Sequence, residues 1–162
     1  MPDVTVTNST VIIALSSINQ LHLLYELYNE VFITYEVKEE LLNGINKPGS
    51  DVDKYEWIKT INIKDRSKIS KLLNQLDIGE ASTILLAEEI NADLVLMDDF
   101  WGRKVAKEKN LKITGTIGVL IKAKNKGLFT DLKKILDDLI QSGFWINKDL
   151  YEYIITEFHT KD

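Results

Sequence analysis

Short apolar runs along the chain alternate with longer stretches whose apolar residues recur at helical spacing. Val4 to Thr7 predicts a first strand. Asn8, Ser9 and Thr10, all residue types that favour a helix N-cap, then lead into a helix over Val11 to Ser17. Leu21, Leu24, Tyr25, Leu27 and Tyr28 continue a helical face, and Glu30 to Ile33 predicts a second strand. Val37, Leu41 and Leu42 share one side of a helix over Tyr35 to Asn43, which Gly44 ends. Asn43 to Lys54 carries Gly44, Pro48 and Gly49 and predicts a flexible surface loop. Trp57 to Ile63 predicts a third strand and Ser67 to Asn74 a helix. Ala81, Ile84, Leu85 and Ala87 form the buried side of a helix over Glu80 to Ile90, and strand Leu94 to Met97 follows directly. Beyond it the pattern gives a helix over Phe100 to Lys109, a short strand over Leu111 to Thr114, and helices over Ile117 to Asn125, Asp131 to Ser142 and Lys148 to Glu157.

Strands that alternate with helices imply βαβ units, a parallel sheet and right-handed crossovers with helices on both faces. The carboxyl ends of such strands share one edge, where open α/β sheets place their ligands. At the end of Leu94 to Met97 the apolar run breaks into two adjacent carboxylates, Asp98 and Asp99. Asn8 follows the first strand, and the helices near Glu40 and Glu80 can overlook the same edge. Separate segments could therefore bring oxygen donors to one pocket.

Composition narrows the chemistry of such a pocket. The 162 residues, 44% of them apolar, fit one compact unit over residues 1–162, with a core over about 4–125 and C-terminal helices over about 126–159. With no Cys, disulfides, thiol nucleophiles and cysteine zinc sites are excluded, and His22 and His159 are too few and too far apart for a histidine centre. A metal here would bind oxygen, which points to Mg²⁺ or Mn²⁺. Met1 to Ser9 lacks a basic leader, and Val11 to Leu15 is far shorter than the roughly 20 residues that span a bilayer. The expectation is a cytoplasmic protein without membrane contact.

The net charge of -5 conceals an asymmetry. From Trp101 to Lys134 there are ten basic residues, Arg103, Lys104 and Lys122 among them, against the two acids Glu108 and Asp131. Positive charge beside a carboxylate site suits a polyanion. For any single lysine, a solvated helix face is an equally good reading.

Each candidate also has a structural reading. Asp77 and Glu80 fit a capping box, the favoured reading for that pair alone. Asp98 or Asp99 suits the N-cap of the helix at Phe100, and Asn8 the N-cap of its own helix. Glu40, beside Glu36 and Glu39, reads as part of a solvated face. Arg103 is a phosphate clamp or an i,i+4 partner of Asp99, the ion pair being the safer choice. Trp101 and Trp145 read as core or edge packing rather than base-stacking platforms, and the two histidines as incidental.

At these residues the chain resembles the PIN domain family, most closely a branch of small prokaryotic PIN-like proteins. The stretches that carry the resemblance are Val6-Thr-Asn-Ser-Thr-Val-Ile-Ile-Ala-Leu15, Val37-Lys-Glu-Glu-Leu41, Leu76-Asp-Ile-Gly-Glu-Ala-Ser-Thr-Ile-Leu-Leu-Ala87, Leu94-Val-Leu-Met-Asp-Asp-Phe-Trp-Gly-Arg103 and Gly115-Thr-Ile-Gly-Val-Leu120. Each is short, and their order and spacing give the match its specificity. The resemblance implies a three-layer α/β/α, Rossmann-like sandwich with a mostly parallel sheet. It also implies Mg²⁺- or Mn²⁺-dependent ribonuclease activity, often as a toxin with an antitoxin partner, and a homodimer. It maps the acidic positions onto Asn8, Glu40, Glu80 and Asp98, with Asp99 as an additional ligand and Ser9 or Thr116 as polar support. Asn8 departs from the pattern, which has aspartate at that position. One neutral oxygen lowers the expected cation affinity.

The leading expectation is thus a metal-dependent nuclease for single-stranded RNA. Glu80 and Asp98 would be ligands, Glu40 would orient or deprotonate water, Asn8 would complete the shell, and the region from Arg103 to Lys126 would attract phosphates. Two rivals stand beside it: a non-catalytic module of the same fold that binds RNA or a protein, and a phosphohydrolase for small phosphate esters, which the basic segment disfavours.

Overall fold

A computed structural model describes residues 3–159, the side chain of His159 excepted. The outer limits of the expected unit, residues 1–2 and 160–162, and the reading of the His159 side chain as incidental lie outside the described residues. Five strands, β1 (Thr5–Thr7), β2 (Val31–Thr34), β3 (Ile58–Ile61), β4 (Leu94–Leu96) and β5 (Ile113–Thr114), form one sheet in the order β3-β2-β1-β4-β5. Every pairing is parallel. The helices are α1 (Ser9–Ser17), α2 (His22–Tyr28), α3 (Tyr35–Asn43), α4 (Ile69–Leu72), α5 (Ile78–Glu89), α6 (Phe100–Glu108), α7 (Thr116–Asn125), α8 (Leu132–Gln141) and α9 (Lys148–Ile154).

Alternation along the strands divides the apolar residues between two cores, because successive side chains point to opposite faces. Val31, Ile33 and Leu96 join α1, α2, α3, α7 and α8 through residues such as Leu15, Leu24, Val37, Leu120 and Leu136. Val6, Val95 and Met97 face the other way, onto Ile69 of α4, Ile84 and Leu86 of α5 and Val105 and Ala106 of α6. The three-layer α/β/α architecture expected from the sequence follows from this division. Among the described residues, no helix is long and apolar enough to cross a membrane.

Two local expectations change. The segment over Ser67 to Asn74 is a 3-10 turn, Arg66–Lys68, that runs into the four residues of α4. Here Asp65 accepts from the Ser67 N–H and starts the turn one residue earlier than the apolar pattern suggests. The stretch over Asn43 to Lys54 is not a bare surface loop. It is folded by turn hydrogen bonds from Lys47 N–H to Gly44 C=O and from Ser50 N–H to Lys47 C=O, and it buries Val52.

The strand order places a switch point between β1 and β4. On one side of it the connection from β1 leads toward β2 and β3, and on the other the chain leaves β4 toward β5. The crevice outside the carboxyl ends of two such strands is where sheets of this kind bind ligands. Asn8 follows β1 and Asp98 follows β4, and the Asn8 N–H donates to the Leu96 carbonyl at 3.0 Å, so the two strand ends are joined there.

Candidate active site

Five segments converge on this edge, and capping interactions fix most of their polar side chains. Asn8 is the N-cap of α1: its buried Oδ1 accepts the Ser9 N–H at 2.8 Å. Ser9 in turn donates through its hydroxyl to Glu40 Oε2 at 2.8 Å, which ties α1 to α3. Asp77 caps α5 in a full capping box, with Glu80 N–H donating to Asp77 Oδ1 at 2.8 Å and Asp77 N–H donating to Glu80 Oε1 at 3.0 Å. The buried hydroxyls of Thr34 and Ser82, hydrogen-bonded at 2.8 Å, hold the start of α3 against α5. Gly79 shows how closely these segments approach: a Cβ there would lie 3.0 Å from Glu40 Oε1, 3.4 Å from Asp77 Oδ1 and 3.7 Å from Asn8 Oδ1.

On the β4 side, Asp99 caps α6 through its Oδ2, which accepts the Gly102 N–H at 2.9 Å. Asp98 is held by α7: its Oδ1 accepts the Thr116 N–H and its Oδ2 the Thr116 hydroxyl, each at 2.7 Å. Glu80 and Asp99 meet within hydrogen-bonding reach. Burial pushes the Glu80 carboxyl up to about 7, and the nearby carboxylates of Asp77 and Asp99 add to that, although the Asp77 N–H it accepts works in the opposite direction. Glu80, Asp98 and Asp99 line a single cleft of about 560 Å³. The rest of its lining is largely apolar and includes Ile13, Ala14, Phe144 and Trp145.

The structure brings together Asn8, Ser9, Glu80, Asp98, Asp99 and Thr116 at this edge, and it separates two of the sequence-derived candidates from the cleft. Glu40 is exposed and lines a neighbouring groove with Asp77 and Gly79, its Oε2 accepting the hydroxyl of Ser9 next to Asn8. Lys122 lies in the last turn of α7, which starts beside Asp98 and runs back along the sheet; its ammonium sits 4.7 Å from the Tyr28 ring centroid, near the opposite edge. At about 1.5 Å per residue, six residues of helix carry it roughly 9 Å from Thr116. Arg103, in α6, stays close to the site, since a Cβ on Gly115 would lie 2.6 Å from Asp98 Oδ1 and 3.0 Å from Arg103 Nη1; Lys104 follows it on the same helix, over the Trp101 ring.

Arg103 does not pair with Asp99. It donates to the Met97 carbonyl at 3.1 Å, and among the described residues no ion pair joins it to a carboxylate. The i,i+4 spacing allowed the pair, but Asp99 is engaged by the Gly102 N–H, and the unpaired carbonyl at the end of β4 takes the guanidinium instead. The two tryptophans also depart from expectation. Trp101 is half exposed, packed edge-on against Phe100 with Lys104 over its ring at 5.2 Å, and Trp145 is 80% exposed. No periodicity in Gly143-Phe144-Trp145 marks the aromatic wall that these residues provide.

The donors suit a hard divalent cation by type: all are oxygens, and a buried carboxyl crowded by Asp77 and Asp99 is the repulsion that such a cation relieves. Their positions are less complete. Among the described residues, no three Asp, Glu or His side chains stand close enough together to form a ready cation site, since the cap of α5, the cap of α6 and Thr116 each draw a carboxylate toward a backbone N–H.

A parallel α/β/α sandwich with carboxylates at its switch point is the architecture of a ligand-binding or catalytic α/β domain. A family model described as a PIN domain matches residues 4–160, nearly the whole chain. The protein belongs to the PIN domain family, whose members are generally nucleases. No curated protein matches the chain.

Proposed function

We propose that this protein is a divalent-cation-dependent ribonuclease of the PIN type that hydrolyses phosphodiester bonds in single-stranded RNA. The observation that carries the proposal is the cleft that buried Glu80 lines together with Asp98 and Asp99 at the switch point of the sheet. Glu80, Asp98 and Asp99 would hold Mg²⁺ or Mn²⁺, with the carbonyl oxygen of Asn8 as a neutral donor beside them. A cation so held lowers the pKa of water and offsets charge on the attacked phosphate. Thr116 fixes Asp98 against rotation, and the Asp77 cap fixes Glu80. Glu40 acts at a remove, orienting Ser9 beside Asn8. Arg103 and Lys104 supply the positive charge that draws an RNA backbone toward an acidic cleft. A protein antitoxin and a second copy of the chain, as partners, rest on the family resemblance alone.

The second reading, a PIN-fold module that binds without cutting, is favoured by one feature: Asn8 brings no charge, and its oxygen already serves the Ser9 N–H. Incubation of the purified protein with labelled single-stranded RNA and Mn²⁺ separates the two. Cleavage by the wild type that disappears in Asp98→Asn and on chelation supports the nuclease. Cleavage that appears only after Asn8→Asp supports the module.

A further inference from the structure

The cleft that holds the carboxylates is chemically two-sided: Ile13, Ala14 and Phe144 of its apolar lining belong to the core, and Trp145 does not. Phe144 is partly buried and packs against the core, which anchors the segment after α8 and leaves the next residue, Trp145, projecting. Trp145 is 80% exposed, the most exposed aromatic ring among the described residues, yet it lines the same cleft as Glu80, Asp98 and Asp99. Pro48, brought in by the folded segment before β3, contributes a further flat apolar surface. An indole left in water loses the burial that normally accounts for its presence. A ligand that suits both walls has a planar apolar part for the ring and an anionic part that reaches the carboxylates through a cation.

A nucleotide with an unpaired base meets that description. We propose that Trp145 is a base-stacking platform, on which one unpaired base of the RNA rests while its phosphate faces Glu80, Asp98 and Asp99. This rests on the nuclease reading of the cleft and assigns its choice of single-stranded over duplex RNA to one residue, Trp145, because a base inside a helix already has both faces covered by its neighbours. Base–aromatic stacking accepts any base, since each has a π face, so the platform selects strandedness and not sequence. The positive charge that complements the backbone comes from Lys104 and Arg103 on α6, the helix that starts at Asp99. The other occupant such a wall would accept is the apolar surface of a second protein chain. Arg103 beside Asp98, with Lys104 next to it on α6, favours RNA over that.

Binding and cleavage, measured separately, test this. Fluorescence anisotropy of a labelled 12-nucleotide single-stranded RNA, with Ca²⁺ in place of Mn²⁺ to suppress cutting, gives the dissociation constant for wild type, Trp145→Ala and Trp145→Phe; a duplex of the same sequence serves as the comparison. Because Trp145 is exposed, neither variant should alter the melting temperature, and this is checked first. The expected result is a loss of affinity between about 5-fold and 150-fold in Trp145→Ala, the range of one base–aromatic stack. Trp145→Phe should stay within about 3-fold of wild type, and the duplex should be insensitive to either substitution. Equal affinity of Trp145→Ala and wild type for the single strand overturns the proposal, as does a wild type that fails to bind it. A change in oligomeric state on gel filtration of Trp145→Ala, with RNA affinity unchanged, assigns the wall to a protein partner and also overturns it. The Mn²⁺ cleavage assay stands apart: a wild type that binds through Trp145 but never cuts retires the nuclease and keeps the platform.

Discussion

Asp98 is gripped at both oxygens by one residue, Thr116, whose backbone N–H and hydroxyl each donate at 2.7 Å. The contact joins the end of β4 to the first residue of α7, so a catalytic candidate is oriented by the start of a helix that contributes no ligand of its own. Thr116→Val keeps the volume and the N–H but removes the hydroxyl from a fully buried position. The loss of a hydrogen bond to a charged group there should cost about 1–3 kcal/mol of stability. It should also weaken Mn²⁺-dependent cleavage more than RNA binding. Thr116→Ser should restore both, and chemical denaturation together with single-turnover kinetics reads them out.

Gly115 allows this arrangement. A Cβ at that position would lie 2.6 Å from Asp98 Oδ1 and 3.0 Å from Arg103 Nη1. The backbone there is extended, at φ -108° and ψ -172°, so alanine meets no conformational penalty and its whole effect is the contact. Gly115→Ala is expected to fold, with a stability loss on the order of 1–3 kcal/mol from overpacking, and to lose cation affinity because Asp98 must turn away from Thr116. A variant that binds Mn²⁺ as the wild type does would show that the Asp98 orientation is unimportant.

The elevated Glu80 pKa gives the metal-free protein a pH dependence with a definite sign. Its folded value of about 7 lies above the ordinary 4.5, so the folded state holds the proton more tightly than the unfolded state. This contribution to stability is fully present below about pH 4.5 and is lost as pH rises through about 7. In EDTA, wild type should therefore lose stability relative to Glu80→Gln between about pH 5 and pH 8, by roughly 2–3 kcal/mol. The amide keeps the oxygen that accepts the Asp77 N–H. Parallel stability curves for the two proteins over that interval would mean that Glu80 is not desolvated.

The fold was legible because local signals and the period-2 and helical patterns agree. The helix over Tyr35 to Asn43 and the capping box of Asp77 and Glu80 stand where the sequence puts them, since both depend on neighbours within four residues. Errors arose where a distant partner decides. Arg103 went to Asp99 by helix spacing, whereas the turn from β4 into α6 brings it onto the Met97 carbonyl. Lys122 shares a basic segment with Arg103, but the direction of α7 along the sheet carries it to the other edge. Trp145 follows a helix end with no repeat around it, so nothing in the pattern distinguishes a packed indole from one that lines a cleft. For the site, the oxygen donors could be named from their places after strands and at helix starts. That Glu80, Asp98 and Asp99 line one cleft, and that Thr116 grips Asp98, could be seen only in three dimensions.

The account depends on Glu80, Asp98 and Asp99 sharing one divalent ion. A Mn²⁺ titration followed by electron paramagnetic resonance, with wild type beside Glu80→Gln and Asp98→Asn, tests that directly. The expected result is a single saturable site in the wild type that each substitution weakens at least about 10-fold, in line with the removal of a charged ligand. A wild type that binds no Mn²⁺, or one whose affinity is unchanged in both variants, would contradict it.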